Sequence, residues 1–221
     1  MANATTGKIG LLAAAFIAAG FSAPAFGQTL HGDLNGLAAK KLTGETRRME
    51  LSHEEHRAVE KIEAALAVKN YEGAAAAIAA GSQVARSPDA RYTIAALQLQ
   101  LGIGTGNVVL QDQAIAAALE SGVASVGMQA ELHRQQGRAG LRDKNYAKAE
   151  AALSKYAELA PRDPEPFVLL AEVKNQTGKP AEALSLLERA ISIKASAKQQ
   201  VPAKWLSAKQ VLAAKAQTGQ R

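Results

Sequence analysis

The four-residue cluster His53-Glu54-Glu55-His56 comes nearest to a metal site in this sequence. Zinc hydrolases use H-E-x-x-H, in which the two histidines are four positions apart on a helix. Here the histidines are three positions apart, and no third ligand is evident. Acidic residues in a first helical turn are favoured by the helix dipole. The cluster therefore predicts the start of a helix and no bound metal.

The sequence also gives no pattern for covalent or phosphate chemistry. Its 221 residues include no cysteine, which excludes a disulfide framework, a thiolate nucleophile and cysteine-ligated zinc. It has no G-x-S-x-G, and Gly102-x-Gly104-x-Gly106 follows a helical pattern without the basic residue of a phosphate loop. We therefore predict a protein that is not an enzyme and has no cofactor. A cell-envelope enzyme whose site residues are distant in sequence stays open as an alternative.

The composition favours helices and argues against a nucleic-acid partner. Hydrophobic residues make up 48% of the chain and are dominated by alanine, the best helix former, whereas aromatic residues make up 4%. The net charge is +6, and basic side chains are interleaved with acidic ones. A nucleic-acid groove would need a basic surface with stacking aromatic side chains. A solvated surface rich in ion pairs is the favoured interpretation.

Residues 1–27 have the three parts of a secretory signal peptide. Lys8 is their only charged side chain, and the apolar run Ile9–Phe21 follows it. Small residues then precede a predicted cleavage site between Gly27 and Gln28. We expect an exported protein, periplasmic or secreted.

Two alternatives to that processing stay open. Cleavage could follow Ala25, or the segment could remain as a membrane anchor, although a spanning helix needs about 20 apolar residues and this run is shorter. We expect no stable membrane span after processing. Residues 28–51 are predicted to be a flexible lead-in, with a short helix over Leu34–Leu42 as one option.

Two stretches of the chain repeat one another. Lys69-Asn70-Tyr71 and Lys144-Asn145-Tyr146 both precede an alanine-rich segment. In each, a small residue lies three positions after the tyrosine and a bulky aliphatic residue lies four further on, so all three share one helical face. At a spacing of 34, size class is kept between Gly137 and Ala171, Ala149 and Ala183, and Leu153 and Leu187. Gly102 matches Gly137 at a spacing of 35.

These positions carry a family resemblance. Gly137, Tyr146, Ala149, Leu153 and Pro161 resemble the pattern of helix-packing residues in the tetratricopeptide repeat (TPR) family, of an exported bacterial type. The resemblance implies an all-α fold over residues 52–217. It implies an α-solenoid of TPR-like helical hairpins with a C-terminal capping helix.

The pattern of caps and breaks predicts the individual helices. Ser52 and Glu55 form a capping box, Asp163 is expected to be an N-cap before Pro164, and Gly81-Ser82 is expected to fray a helix. Helices are predicted over 53–68, 71–86, 89–103, 108–120, 129–142, 146–159, 164–176, 180–194 and 201–216.

The resemblance further implies that the first helix of each hairpin lines a concave groove that binds a protein or peptide. In this register the groove residues are His56, Glu63, Leu99, Arg134, Arg138, Glu172 and Asn175. Arg134 and Arg138 are four apart and share a face, so they could clamp an acidic side chain or a C-terminal carboxylate. The alternative is that they are surface arginines paired with Glu131. The predicted function is a protein-interaction adaptor of the cell envelope, with a structural subunit of an envelope complex as a further alternative.

Overall fold

A computed structural model describes residues 50–218. The predicted signal peptide, its cleavage site at Gly27 and Gln28, and the lead-in up to residue 49 lie outside the described residues. The described part of the chain contains nine α-helices and no strand. They are α1 His53–Ala67, α2 Tyr71–Val84, α3 Pro88–Gly104, α4 Val108–Glu120, α5 Val126–Arg142, α6 Tyr146–Leu159, α7 Glu165–Gln176, α8 Pro180–Ser196 and α9 Ala203–Thr218.

Consecutive helices pack in pairs. The pairs α1–α2, α3–α4, α5–α6 and α7–α8 form hairpins 1 to 4, each hairpin contacts the next, and α9 packs on α8. The first helices α1 and α3 also contact each other, as do α5 and α7. This order confirms the predicted all-α solenoid of TPR-like hairpins with a C-terminal capping helix.

The apolar cores of hairpins 1, 3 and 4 are each shared with the helix that follows the hairpin. Buried side chains of hairpin 1 pack with Ile94, Leu97 and Leu101 of α3, and those of hairpin 3 pack with Leu170 and Val173 of α7. A third cluster joins α7 and α8 to the capping helix α9. A hairpin therefore buries its apolar face only when its neighbour is present, as expected of a stacked repeat.

The turn inside each hairpin has the same three-residue design. Its first residue is left-handed, with φ of 55° at Lys69, 68° at Gly106, 57° at Lys144 and 74° at Gly178. In hairpins 1 to 3 the second residue is an asparagine whose side chain accepts from a backbone N–H three positions on, at 2.9 to 3.1 Å. The third residue begins the next helix. The repeated Lys-Asn-Tyr triplet is thus a turn and a helix cap.

These turns correct the repeat register of hairpin 2. The left-handed positions lie 37, 38 and 34 residues apart, so the predicted spacing of about 34 holds only between hairpins 3 and 4. Gly102 is consequently equivalent to Gly140 and not to Gly137. The packing agrees, because a Cβ at Gly102 or Gly140 would meet the backbone nitrogen of the residue nine positions on, Gln111 or Ala149. The sequence comparison missed this because α3 and α5 are five residues longer than α7.

Most predicted helix ends are correct within two residues, and the exceptions have identifiable causes. The helix expected to fray at Gly81 continues to Val84, because Gly81 is buried and a Cβ there would lie 3.2 Å from Ile62. The helix α5 begins three residues before its predicted start, because the Ser125 side chain accepts a hydrogen bond from the Met128 N–H and caps the helix there. The N-cap of α7 falls on Pro164, although the Asp163 carboxylate still accepts from the Glu165 N–H at 2.9 Å.

Candidate partner-binding face

The helices α5, α7 and α9 lie side by side and form the surface that we name the α5–α7–α9 face. Contacts join α5 to α7. Ala208 and Leu212 of α9 pack in one cluster with Ala171 of α7, and Lys215 Nζ donates to Asn175 Oδ1 at 3.2 Å. The predicted site residues Arg134, Arg138, Glu172 and Asn175 all belong to helices of this face.

Two arginines of α5 converge on one carboxylate of α7. Arg134 makes a two-pronged contact with Glu131, with Nε and Nη2 each 2.7 Å from a carboxylate oxygen. Its Nη1 lies 3.4 Å from Glu165 Oε1, and Arg138 Nη2 lies 3.2 Å from the same oxygen. The hydrogen bond to Glu131 is the main reason that the pKa of Arg134 is raised above its ordinary value. Both guanidinium groups are therefore already paired with carboxylates of this chain.

A second group of hydrogen bonds fixes the acceptor Glu165. Asp163 accepts from the Glu165 N–H, and it also accepts from the hydroxyl group of Tyr156, which is buried in α6. Burial, followed by the hydrogen bond to Asp163, raises the pKa of Tyr156 well above its ordinary range, so the phenol stays protonated as a donor. The start of α7 is thus held to both helices of hairpin 3.

Glu172 differs from the other charged side chains of this face. It is half-buried, and no hydrogen bond or ion pair reaches it from the described residues. Burial raises the pKa of its carboxyl group above the ordinary value. Glu172 lies seven residues after Glu165 and three before Asn175, spacings that place it on the same side of α7.

The predicted groove residues of hairpins 1 and 2 have different environments. His56 and Glu63 are exposed, and His56 Nε2 lies 3.2 Å from Glu60. Leu99 is only 6% exposed, so its side chain belongs to the core and the prediction that it lines a groove is wrong. The corrected register explains this, because Leu99 is equivalent to the buried Gly137 and not to Arg134.

The acidic start of α1 has a structural role that spacing alone did not show. Glu55 is 2% exposed and completes the predicted capping box with Ser52. Its other oxygen, Oε1, accepts from the N–H groups of Arg86 and Ser87 at 2.7 Å each. Burial alone would raise its pKa, but the backbone hydrogen bonds from Ser87, Ser52 and Arg86 outweigh it and hold the pKa at about 2. The capping box was the sequence signal for this role of Glu55. The contact of Glu55 with Arg86, 31 residues away in the loop before α3, has no signal in the sequence.

The described residues contain no group of three or more His, Cys, Asp or Glu side chains placed to hold a metal ion. An open pocket of about 330 Å³ lies between α2, α3 and α4. Ile94 and Ala95 supply apolar lining, and Arg91 and Glu120 are its charged residues. Its lining contains neither a histidine nor a pair of carboxylates that could act as acid and base.

The fold and this face define a class of protein: a solenoid of TPR-like helical hairpins that presents a preformed polar surface. None of the described helices has both the length and the apolar character needed to cross a membrane. No protein-family model matches the chain, and no curated protein matches it.

Among solved structures, the chain is similar to one described as "Functional Characterization of Pseudomonas Aeruginosa pilF". The sequence identity is 19%, the match covers 75% of this chain and 70% of that chain, and the TM-score is 0.44.

Proposed function

We propose that this protein is a non-enzymatic adaptor that binds a peptide or protein segment on the α5–α7–α9 face. The observation that supports this most is the network formed by Glu131, Arg134, Arg138 and Glu165. It fixes polar side chains on a surface that spans two helices. A partner that meets a preformed surface loses less conformational freedom on binding, which favours affinity.

The internal pairing of the arginines changes the expected mode of binding. A partner carboxylate could be clamped by Arg134 and Arg138 only by displacing Glu165, which both already contact. Replacing both Arg134 and Arg138 by glutamate would not test binding alone. The change would place four carboxylates together and weaken the contact between α5 and α7.

We place this adaptor in the cell envelope, as a periplasmic or secreted protein, because of the signal-peptide pattern of residues 1–27. Two alternatives remain as competing proposals. A structural subunit of an envelope complex would make its contacts elsewhere on the stack, and an envelope enzyme would need a site that the pocket between α2, α3 and α4 does not supply.

The test uses a photo-crosslinking amino acid at two exposed valines. Val211 of α9 is 54% exposed and lies one turn before Lys215, which contacts Asn175 of the face. Val109 of α4 is 62% exposed and lies next to the turn of hairpin 2. p-Benzoylphenylalanine is placed at either position in the full chain, and crosslinked bands are analysed in cells that express the protein.

We expect a distinct crosslinked band from position 211 and none from position 109. A band from position 109 alone would favour the structural-subunit alternative, because contact would be at the turns. The absence of a band at both positions would contradict an adaptor that uses this face. Fractionation of the same cells tests the location, since an adaptor found in the cytoplasm would contradict export.

A further inference from the structure

The charged side chains of the α5–α7–α9 face differ in whether they have a partner among the described residues. Glu131 and Glu165 are paired with Arg134 and Arg138, and Lys215 donates to Asn175. Among the charged side chains of the face named above, Glu172 alone has no hydrogen bond or ion pair to the described residues.

Partial burial destabilises the charged form of the unpaired Glu172 carboxyl group. A charged group that loses part of its water without gaining a partner is destabilised, and the raised pKa of Glu172, caused by burial, is the sign of that loss. Glu72 provides a comparison on α2, because it is a carboxylate that remains exposed and keeps its water. A cation would therefore gain more at Glu172 than at Glu72.

We propose that Glu172 receives a basic side chain, lysine or arginine, from the protein segment that binds this face. The inference rests on the proposed function and names the chemistry of the partner. The basic side chain would approach between the Arg138–Glu165 pair and the Lys215–Asn175 contact. An ammonium or guanidinium group there would give Glu172 a charge-assisted hydrogen bond.

The same geometry disfavours an acidic partner. A carboxylate entering this face would meet guanidinium groups that Glu131 and Glu165 already neutralise. It would also lie near the unpaired Glu172, and like charges at short distance repel. Lys215 keeps its positive charge beside the neutral Asn175 side chain, so the preference for a basic segment comes from Glu172 and not from the net charge of the face.

The test selects peptides on the full chain and uses two matched variants. A phage-displayed library of random dodecapeptides is panned against the wild-type protein, and the most enriched peptides are synthesised. Their affinities are measured by fluorescence anisotropy for wild type, Glu172→Gln and Glu72→Gln, with circular dichroism confirming that each variant is helical.

We expect the selected peptides to carry a lysine or arginine at a recurrent position. Glu172→Gln should weaken their binding about tenfold, the size of one charge-assisted hydrogen bond, and Glu72→Gln should leave it unchanged. Replacing the recurrent basic residue by alanine should weaken binding to wild type but not further weaken binding to Glu172→Gln.

Two results would overturn the inference, and they separate it from the proposed function. Selected acidic peptides whose binding is lost in Arg138→Gln but kept in Glu172→Gln would show that the face binds a segment of opposite chemistry. If no peptide is enriched, or the affinities do not depend on Glu172, the basic partner is rejected. The crosslinks from position 211 then decide the adaptor proposal on their own.

Discussion

Carboxylates hold neighbouring hairpins together in opposite ways at two joints. The first joint is the contact between hairpins 1 and 2, and the other joint is the contact between hairpins 3 and 4. At the first joint the buried Glu55 accepts from the backbone N–H groups of Arg86 and Ser87. At the other joint Glu165, with a side chain that is 34% exposed, pairs with the side chains of Arg134 and Arg138. One joint therefore depends on backbone donors without formal charge, and the other on ion pairs near water.

The difference indicates which joint can also serve as a binding surface. A buried carboxylate satisfied by backbone donors offers nothing to a partner, whereas partly exposed ion pairs present charged groups in fixed positions. Ion pairs near the surface contribute little to stability and are screened by salt. Hairpins 1 and 2 are thus joined mainly for stability, and hairpins 3 and 4 are joined by groups that a partner can reach.

The largest expected effect concerns the close approach of α5 and α6 in hairpin 3. A Cβ at Gly140 would lie 2.7 Å from the backbone nitrogen of Ala149, so Gly140→Ala forces the helices apart. We expect a loss of about 3 kcal/mol in the free energy of unfolding, the upper range for overpacking. Urea denaturation followed by circular dichroism measures it.

The matched control is Gly127→Ala in the same helix, where a Cβ would meet nothing within 4 Å. Alanine is the better helix former by roughly 0.5 to 1 kcal/mol, so this variant should be as stable as wild type or slightly more stable. Equal stability of the two variants would show that the close approach does not limit hairpin 3.

The next effect tests the first joint through Glu55. Glu55→Gln removes the charge that binds three backbone donors and should reduce the free energy of unfolding by about 2 kcal/mol at pH 7. The neighbouring Glu54→Gln, at an exposed position, should change it by less than about 0.5 kcal/mol. Denaturation midpoints in urea measure both.

The pH dependence of this joint has a definite sign. The pKa of Glu55 lies near 2 in the folded protein and at 4.5 when the side chain is unpaired in the unfolded chain, so its contribution is complete above about pH 4.5. The contribution should decline as the pH falls from 4.5 towards 2. Wild type and Glu55→Gln should therefore converge in stability near pH 2, and a constant difference down to that pH would contradict the role given to the charge.

The smallest effect is expected at the other joint. Glu165→Gln removes the common acceptor of Arg134 and Arg138 and should cost about 1 kcal/mol at low salt. The loss should shrink at 1 M NaCl, where the screening length is about 3 Å. Lys155→Gln removes an exposed pair with Glu158 and should have almost no effect at either salt concentration. A loss at Glu165 that does not change with salt would indicate that Glu165 acts through packing and not through charge.

The sequence predicts the helices well because their signals are local. The caps at Ser52 and Ser87, and the asparagine before Tyr146, each act within one helical turn, and hairpin order follows from the repeated packing residues. The register of hairpin 2 could not be predicted from a spacing of 34, because α5 is five residues longer than α7 and the turn of hairpin 2 has Gly106 where hairpins 1 and 3 have lysine.

The site is less predictable because its contacts join residues far apart in the chain. The spacing of Arg134 and Arg138 placed both on one helical face. It could not show that the acceptor would be Glu165, 31 residues beyond Arg134 and in the next hairpin. The sequence also gave no sign that Glu172 lacks a partner among the described residues, because this depends on which side chains lie near it in the folded protein.

The two oxygens of Glu55 have a consequence for how the stack comes apart. One oxygen holds the first turn of α1, and the other holds the connection into α3. Fraying of α1 therefore releases the start of hairpin 2 as well, and the first four helices should open as one cooperative unit. At the other end α9 packs on α8 and α7 through side chains and can detach alone. Local unfolding should accordingly begin with α9 alone at the C-terminal end, whereas at the start of the repeats the first four helices should unfold together.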